Sequence, residues 1–528
     1  MGTKAVTLPE TLNLADHFLA RRLRAGDGDR VALRLAGRSL TYGEVKGSAD
    51  DVSRALLARG VRREERVLLV LPDGAEFVAA FFGILQIGAV AVMLNPGLRP
   101  EEVESRVAYV RPRLAVVEPG AADAYRRAAS ASPWLEGGLL TIPSSGGDGA
   151  ADADSLATAL ASAGDGPVAM APTHRDDPAV WLFSGGTTGH PKAVVQSHRS
   201  FANTTELYAV RTLGYGPDDV TLSVPKLFFG YATGSNLLFP FAVGGSSVLF
   251  PDPPTVETLF EQIARHRPTI FIAVPTVIGR MVAHPDAADQ DLSCLRFATS
   301  AGEALPPSLY DAWLRTFGVE LLDGLGTAEM WHVFLTNRPG EARPGTLGRA
   351  VDGFEIKVCD PDGNPMPDGS VGRLWVRGES RADGYWQAAK KSTDAFRGEW
   401  FASSDLVCRD DEGYVTFCGR SDDAIKVSGR WLVPAEVEGC LLGHSAVAEC
   451  AVVGARSPEG LLKPYAFVLP HDAAEDGLED ELKAYALGRL QAYKHPRRVL
   501  ILDAFPRTHL GKVDRGKLRA SVESPDAG

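Results

Sequence analysis

Residues 184–192 read SGGTTGHPK, directly after the apolar run Val180–Phe183. Gly185, Gly186 and Gly189 let the backbone turn sharply and approach a ligand closely. Ser184, Thr187 and Thr188 supply hydroxyls and Lys192 a cation, so the segment suits a polyphosphate. It is not a Walker A loop, because Gly189 is followed by His190 and Pro191. A glycine-rich triplet alone is usually a surface turn; the hydroxyl pattern and the closing lysine set this one apart. A second segment, DGLGTAE (Asp323 to Glu329), has the same flavour. Gly324 and Gly326 permit close approach of a ligand, and Glu329 is a carboxylate suited to a divalent cation.

The elements that would hold these segments follow an α/β rhythm. Residues 28–118 alternate short apolar runs (VALRL, RVLLVLP, AVAVML, LAVVEP) with helical stretches such as 41–59, which predicts βαβ units in a mainly parallel sheet. Residues 142–174 read as a surface excursion with a short helix. From Ala179 the rhythm repeats, with helices expected over 256–266 and 307–317. After Arg343 short strands and PDG and DGS turns indicate a β-rich subdomain. The remainder reads as a small α+β domain: a hairpin at IKVSGRWLV, a helix opened by Pro434, strands at CAVVGA and YAFVL, a helix over 478–490 and a frayed tail from Ser521. The boundary is drawn at polar GRSDD, giving domains 1–421 and 422–528.

The longest apolar stretch, FVAAFFGILQIGAVAVML (77–94), approaches the length of a bilayer span. Gln86 and Gly88 interrupt it and NPG ends it, so a buried helix over 76–86 followed by a strand over 89–94 fits better. The chain has 528 residues and a net charge of −12, which disfavours nucleic acid and anionic membrane surfaces as partners. Six cysteines without a CxxC pair support neither a disulfide framework nor a zinc site. The N-terminus shows no secretion signal, so a reducing cytoplasm is the expected compartment.

Five segments in order, SGGTTGHPK, DGLGTAE, WFASSD (400–405), GRSDDAIKVSGRWLVPAEVE (419–438) and PRTHLGK (506–512), resemble the signatures of the acyl-adenylate-forming (AMP-dependent synthetase/ligase) superfamily. The resemblance covers essentially the whole chain. It implies ATP, Mg²⁺ and coenzyme A as reaction partners, a large N-terminal α/β domain with a β-rich part, and a small mobile C-terminal α+β domain. It assigns nucleotide contacts to Ser184 through Gly189, Lys192, Asp323, Gly324, Thr327, Asp405 and Arg420. Catalytic roles go to Thr187, Glu329 and Lys512, with Glu329 also the metal ligand, Asp422 the hinge, and Lys426 and Gly429 near the pantetheine path. The family's threonine before the glutamate is Ala328 here, and its Thr-Gly before the aspartate is Ser403-Ser404.

KLFFGYATGSNLLFPFAVGG (226–245) is similar to the matching stretch of benzoate-CoA ligases and related aryl-acid CoA ligases. That likeness maps Gly230, Tyr231, Phe239, Ala301, Gly326, His332 and Val333 onto an aryl pocket, a composition suited to a single-ring acid. None of these residues is acidic, so an amino-acid substrate would bury its ammonium group without a partner. The expected reaction makes an aryl adenylate and pyrophosphate, then an aryl-CoA thioester and AMP. Alternatives are transfer to a carrier protein's phosphopantetheine, and a nucleotide-binding protein without catalysis. A monomer or homodimer is expected.

Overall fold

The computed structural model describes residues 6–143, 154–164, 166–184, 192–421, 425–427, 430–456, 462–471, 477–507 and 513–523. Two compact units divide the chain, one of residues 1–356 and 376–402, the other of 357–375 and 403–528.

The large unit is built on two sheets. The seven-stranded sheet runs, edge to edge, Gly384–Tyr385, Lys192–Ser197, Pro178–Ser184, Val90–Met93, Arg66–Val70, Leu114–Val117 and Leu139–Thr141. Its last five strands are parallel, and the first two add an antiparallel edge. The nine-stranded sheet likewise has a parallel centre, from Leu321–Gly326 through Phe297–Ser300, Ile270–Ala273, Val220–Ser223 and Ser246–Val248 to Val31–Arg34, with antiparallel strands at both ends. Strands buried on both faces need not alternate apolar with polar residues, and these runs do not.

One expectation is corrected here. The run VALRL does not join the sheet of the three runs that follow it; Leu33 pairs with Ser247, in the nine-stranded sheet. Local pattern made it a strand, but its partner lies over two hundred residues away.

The apolar stretch at 77–94 is a helix, Ala75–Gln86, and a strand, Val90–Met93. The helix is buried nearly all round and packs tightly on helix Tyr42–Ala58: a Cβ on Gly83 would lie 2.9 Å from the Ala49 carbonyl oxygen. Among the described residues no helix is long and apolar enough to cross a membrane. Helices Val256–His266 and Pro307–Phe317 span the residues expected.

In the small unit, strands Val447–Arg456, Leu462–Pro470 and Arg498–Ile501 form one sheet, packed with helices Pro434–Leu442, Leu478–Leu487 and Arg515–Glu523. Ile425–Val427 and Arg430–Leu432 make the expected hairpin. Fraying was expected from Ser521, but the last described helix continues past it to Glu523, whose carboxylate accepts from the Arg456 N–H at 3.1 Å. Packing also crosses the GRSDD segment, since a Cβ on Gly419 would lie 2.5 Å from Val433 Cγ1. The small unit therefore includes residues N-terminal to 422, while Asp422 itself lies outside the described residues.

Candidate functional site

Strands Pro178–Ser184 and Lys192–Ser197 form a hairpin stem, closed by the pair Ser184 and Lys192. The segment between them, with Gly185, Gly186, Thr187, Thr188 and Gly189, lies outside the described residues. The Ser184 hydroxyl oxygen is shielded from solvent and has no hydrogen-bond partner among the described residues. A buried hydroxyl left unpaired is costly, and a phosphate oxygen would satisfy it. The Lys192 ammonium sits 4.7 Å from the centre of the Tyr385 ring.

Tyr385 connects this stem to Glu329. Its hydroxyl donates to Glu329 Oε1 at 2.8 Å, and strand Gly384–Tyr385 is the edge partner of Lys192–Ser197. Glu329 is 7% exposed, and its second oxygen takes no hydrogen bond from any described residue. One oxygen held and one open suits a divalent cation that takes a single protein carboxylate and completes its shell with phosphate and water oxygens. Thr327 caps the short helix Ala328–Met330, its hydroxyl oxygen accepting from the Met330 N–H at 3.2 Å, while its own proton goes to no described residue. The Ala328 carbonyl accepts from Gln196 Nε2 at 2.6 Å.

Asp323 is on the strand leading to this helix. Burial pushes its carboxyl up to about 8, and Oδ1 has no partner among the described residues. Gly324 and Gly326 have a role the sequence did not suggest. A Cβ would lie 2.7 Å from the Leu335 carbonyl oxygen at Gly324 and 2.6 Å from the His332 carbonyl carbon at Gly326. What approaches these glycines in the structure is the returning strand Val333–Thr336 and the residue before it.

All seven positions expected to line an aryl pocket lie in the large unit, and His332 is at the centre of the aromatic ones. Its ring centroid is 4.7 Å from that of Phe239, 5.3 Å from Tyr231, 5.4 Å from Trp331 and 5.5 Å from Tyr208. Burial holds the imidazole down at about 3, so it is neutral at physiological pH. Nε2 lies 3.0 Å from the Tyr231 carbonyl oxygen and 3.1 Å from the Ser235 hydroxyl. A carbonyl only accepts, so the proton is on Nε2 and Nδ1 carries the lone pair. Nδ1 is buried and has no partner among the described residues. The Tyr231 hydroxyl lies 2.8 Å from Thr299 Oγ1, and burial pushes it well above its usual value. Ala301 and Val333 are buried. Gly230 is tighter than its lack of a side chain suggests: a Cβ there would sit 3.0 Å from Leu182 Cδ1.

The small unit holds the expected ribose pair on hairpin strands Trp400–Arg409 and Val415–Arg420, where Asp405 and Arg420 face each other. Arg420 Nη1 donates to Asp405 Oδ1 at 3.2 Å. The Asp405 N–H donates to the Ser403 hydroxyl at 3.0 Å, so the serine in place of the usual threonine fixes the aspartate's backbone. Lys426 is on strand Ile425–Val427, its backbone opposite Trp431. Gly429, Asp422 and Lys512 lie outside the described residues.

Tyr385, Ser235, Gly234 and Trp331 escaped the sequence reading. Tyr385 reaches Glu329 across 56 positions, beyond any local spacing rule. Gly234 looked like one more glycine in an apolar run, yet a Cβ there would lie 2.6 Å from His332 Nε2.

Residues 20–386 match the AMP-binding enzyme family and residues 436–512 the AMP-binding enzyme C-terminal domain. The chain is 39% identical to a benzoate-CoA ligase of Thauera aromatica, over 98% of this chain and 97% of that one. Among solved structures, it superposes on an anthranilate CoA ligase in complex with anthranoyl-AMP with a TM-score of 0.89 at 36% identity, covering 98% of each chain. It superposes on a benzoate CoA ligase from Burkholderia xenovorans LB400 with a TM-score of 0.85 at 36% identity, covering 96% of this chain and 99% of that one. With the glycine-rich stem, the half-tethered glutamate and the aspartate–arginine hairpin all present in the order of the family's signatures, the chain belongs to the AMP-binding enzyme family.

Proposed function

We propose that this chain is an AMP-forming acid–thiol ligase that activates a benzoate-type aromatic acid with ATP and passes the aroyl group to the thiol of coenzyme A. The observation that carries the choice of acid is the His332 enclosure: four aromatic rings around a neutral imidazole, with no charged side chain among the aryl-pocket positions. Such walls favour a flat apolar ring.

In the first half-reaction a carboxylate oxygen of the acid attacks the ATP α-phosphorus and pyrophosphate leaves. The Ser184 hydroxyl and the hydroxyls and N–H groups of 185–189 hold the phosphates, with Lys192 behind them, while Asp405 accepts from the ribose hydroxyls. Glu329, oriented by Tyr385, is the residue for Mg²⁺, which when bound neutralises developing phosphate charge. Lys512 bridges the acid and the α-phosphate, a cation positioned where negative charge grows in the transition state. In the second half-reaction rotation about Asp422 withdraws Lys512 and brings the segment of Lys426 and Gly429 to the pantetheine path. The thiol gives its proton to solvent as its sulfur attacks the acyl carbon, and AMP leaves with the electrons of the broken acyl–oxygen bond.

The test is a screen of substituted benzoates with ATP and CoA, read by mass spectrometry. Aryl-CoA and AMP in equal amounts are expected. Pyrophosphate exchange without any aryl-CoA would move the acceptor to a carrier-bound thiol, and no exchange with any benzoate would overturn the reading.

A further inference from the structure

The wall at Gly230–Tyr231, assigned to the aryl pocket by the proposed function, follows a turn that the buried Asp73 side chain holds in the large unit. Asp73 follows strand Arg66–Val70 of the seven-stranded sheet and is 5% exposed. Its Oδ1 accepts from the Leu227 N–H at 2.8 Å, 154 positions away. The residue before, Lys226, donates its ammonium to the Phe250 carbonyl at 2.7 Å and lies 3.6 Å from the centre of the Phe250 ring. Asp73, Lys226 and Phe250 each lie just beyond the C-terminal end of a parallel strand, and those strands belong to both sheets.

A carboxylate buried for one backbone N–H is expensive, and a neutral side chain could have capped the turn. Burial pushes the Asp73 carboxyl up to about 7, against which the Lys226 charge and the Leu227 N–H both act. From this anchor the chain makes one turn, with the Phe229 N–H donating to the Lys226 carbonyl at 2.9 Å. It then enters the short helix Gly230–Thr233, whose Thr233 hydroxyl reaches back to the Leu227 carbonyl at 2.6 Å. Between these ties sit Gly230, pressed toward Leu182, and Tyr231, whose carbonyl fixes the His332 tautomer. Moving Leu227 moves both the wall and the acceptor that orients the imidazole.

We infer that Asp73 is a positioning residue for aryl-acid recognition, holding the Lys226–Tyr231 turn so that Gly230, Tyr231 and His332 present one fixed surface to the ring. This rests on the ligase reading above. It touches no substrate and acts through Leu227.

Steady-state constants for acid and for ATP in full-length Asp73→Leu, Asp73→Asn and Thr233→Val test it, with benzoate and its hydroxy and amino derivatives. Asp73→Leu orphans the Leu227 N–H and is expected to raise the KM of the acid at least tenfold while the KM of ATP stays within twofold. Asp73→Asn keeps an acceptor for Leu227 and is expected to recover most of that loss. Thr233→Val, which cuts the same turn at its other end, is expected to repeat the selective rise and serves if Asp73→Leu does not fold. An unchanged acid KM in folded Asp73→Leu or Thr233→Val overturns the inference, as does an equal rise in both KM values. If the wild-type chain activates no aromatic acid, the ligase reading falls and takes this inference with it; a normal wild type with unaltered variants removes this inference alone.

Discussion

The His332 enclosure and the Asp405–Arg420 hairpin, the proposed sites of the ring and the ribose, treat charge in opposite ways. In the enclosure charge is suppressed: the imidazole is held neutral, and nearby on strand Leu321–Gly326 the Asp323 carboxyl is raised to about 8, so it is protonated at pH 7. On the hairpin opposite charges are paired: the Asp405 side chain is 6% exposed, while its partner guanidinium is 45% exposed. A flat ring offers only area and shape, and a dry apolar wall discriminates it by fit. A ribose diol offers two O–H donors, which an ionised carboxylate takes better than a neutral acceptor. Mutations in the two regions should therefore separate by which substrate they affect.

The largest effect should come from outside both regions. Lys512→Ala is expected to slow adenylation on the order of 100- to 1000-fold, the range for losing one preorganised transition-state charge. Thioester formation from supplied aryl adenylate should change little; equal losses in both halves would contradict the assigned role. Asp405→Ala should raise the KM of ATP roughly 10- to 100-fold, corresponding to about 1.5–3 kcal/mol for hydrogen bonds to a charged group. It should leave the KM of the acid alone, and a rise in both would erase the contrast drawn here.

Gly234→Ala probes the enclosure from behind. The new methyl would meet His332 Nε2 at 2.6 Å and Phe239 Cζ at 3.1 Å, so the ring must shift. Overpacking of this kind costs about 1–3 kcal/mol, and the acid KM should rise about tenfold with ATP unaffected. The last effect is on stability rather than on either KM, and it depends on pH. Asp323 has a raised folded-state pKa, so between pH 4 and 8 the native chain holds a proton that the unfolded chain has released. Stability from this group is present at low pH and lost as pH rises toward 8, at no more than about 1.4 kcal/mol per pH unit. Asp323→Asn should remove that slope, so thermal unfolding of the variant should gain on wild type from pH 5 to pH 8 and no further above it.

Helix limits at 256–266 and 307–317 were legible because a 3.6-residue apolar period, with a cap or proline at the start, acts within one segment. The hairpin at IKVSGRWLV was legible for the same local reason. Sheet membership was not, since VALRL carries nothing that names Ser247 as its partner. Within the site, the stem from Ser184 to Lys192 could be found from a strand running into glycines. Gly324 and Gly326 could be found but not explained, because the backbone that crowds them arrives from the returning strand.

Residue type and order alone determined the chemistry available to this chain: a hydroxyl-rich glycine loop, a carboxylate for a cation, a carboxylate for a diol, and aromatic residues in place of an acidic side chain. Those properties belong to single side chains and short spacings. The fold alone decided which side chains carry charge and which way they face. The His332 proton is set by the Tyr231 carbonyl, the open oxygen of Glu329 by the Tyr385 hydroxyl, and the turn at Leu227 by Asp73. Protonation and orientation depend on desolvation and on partners tens to hundreds of positions away, and only packing brings those together.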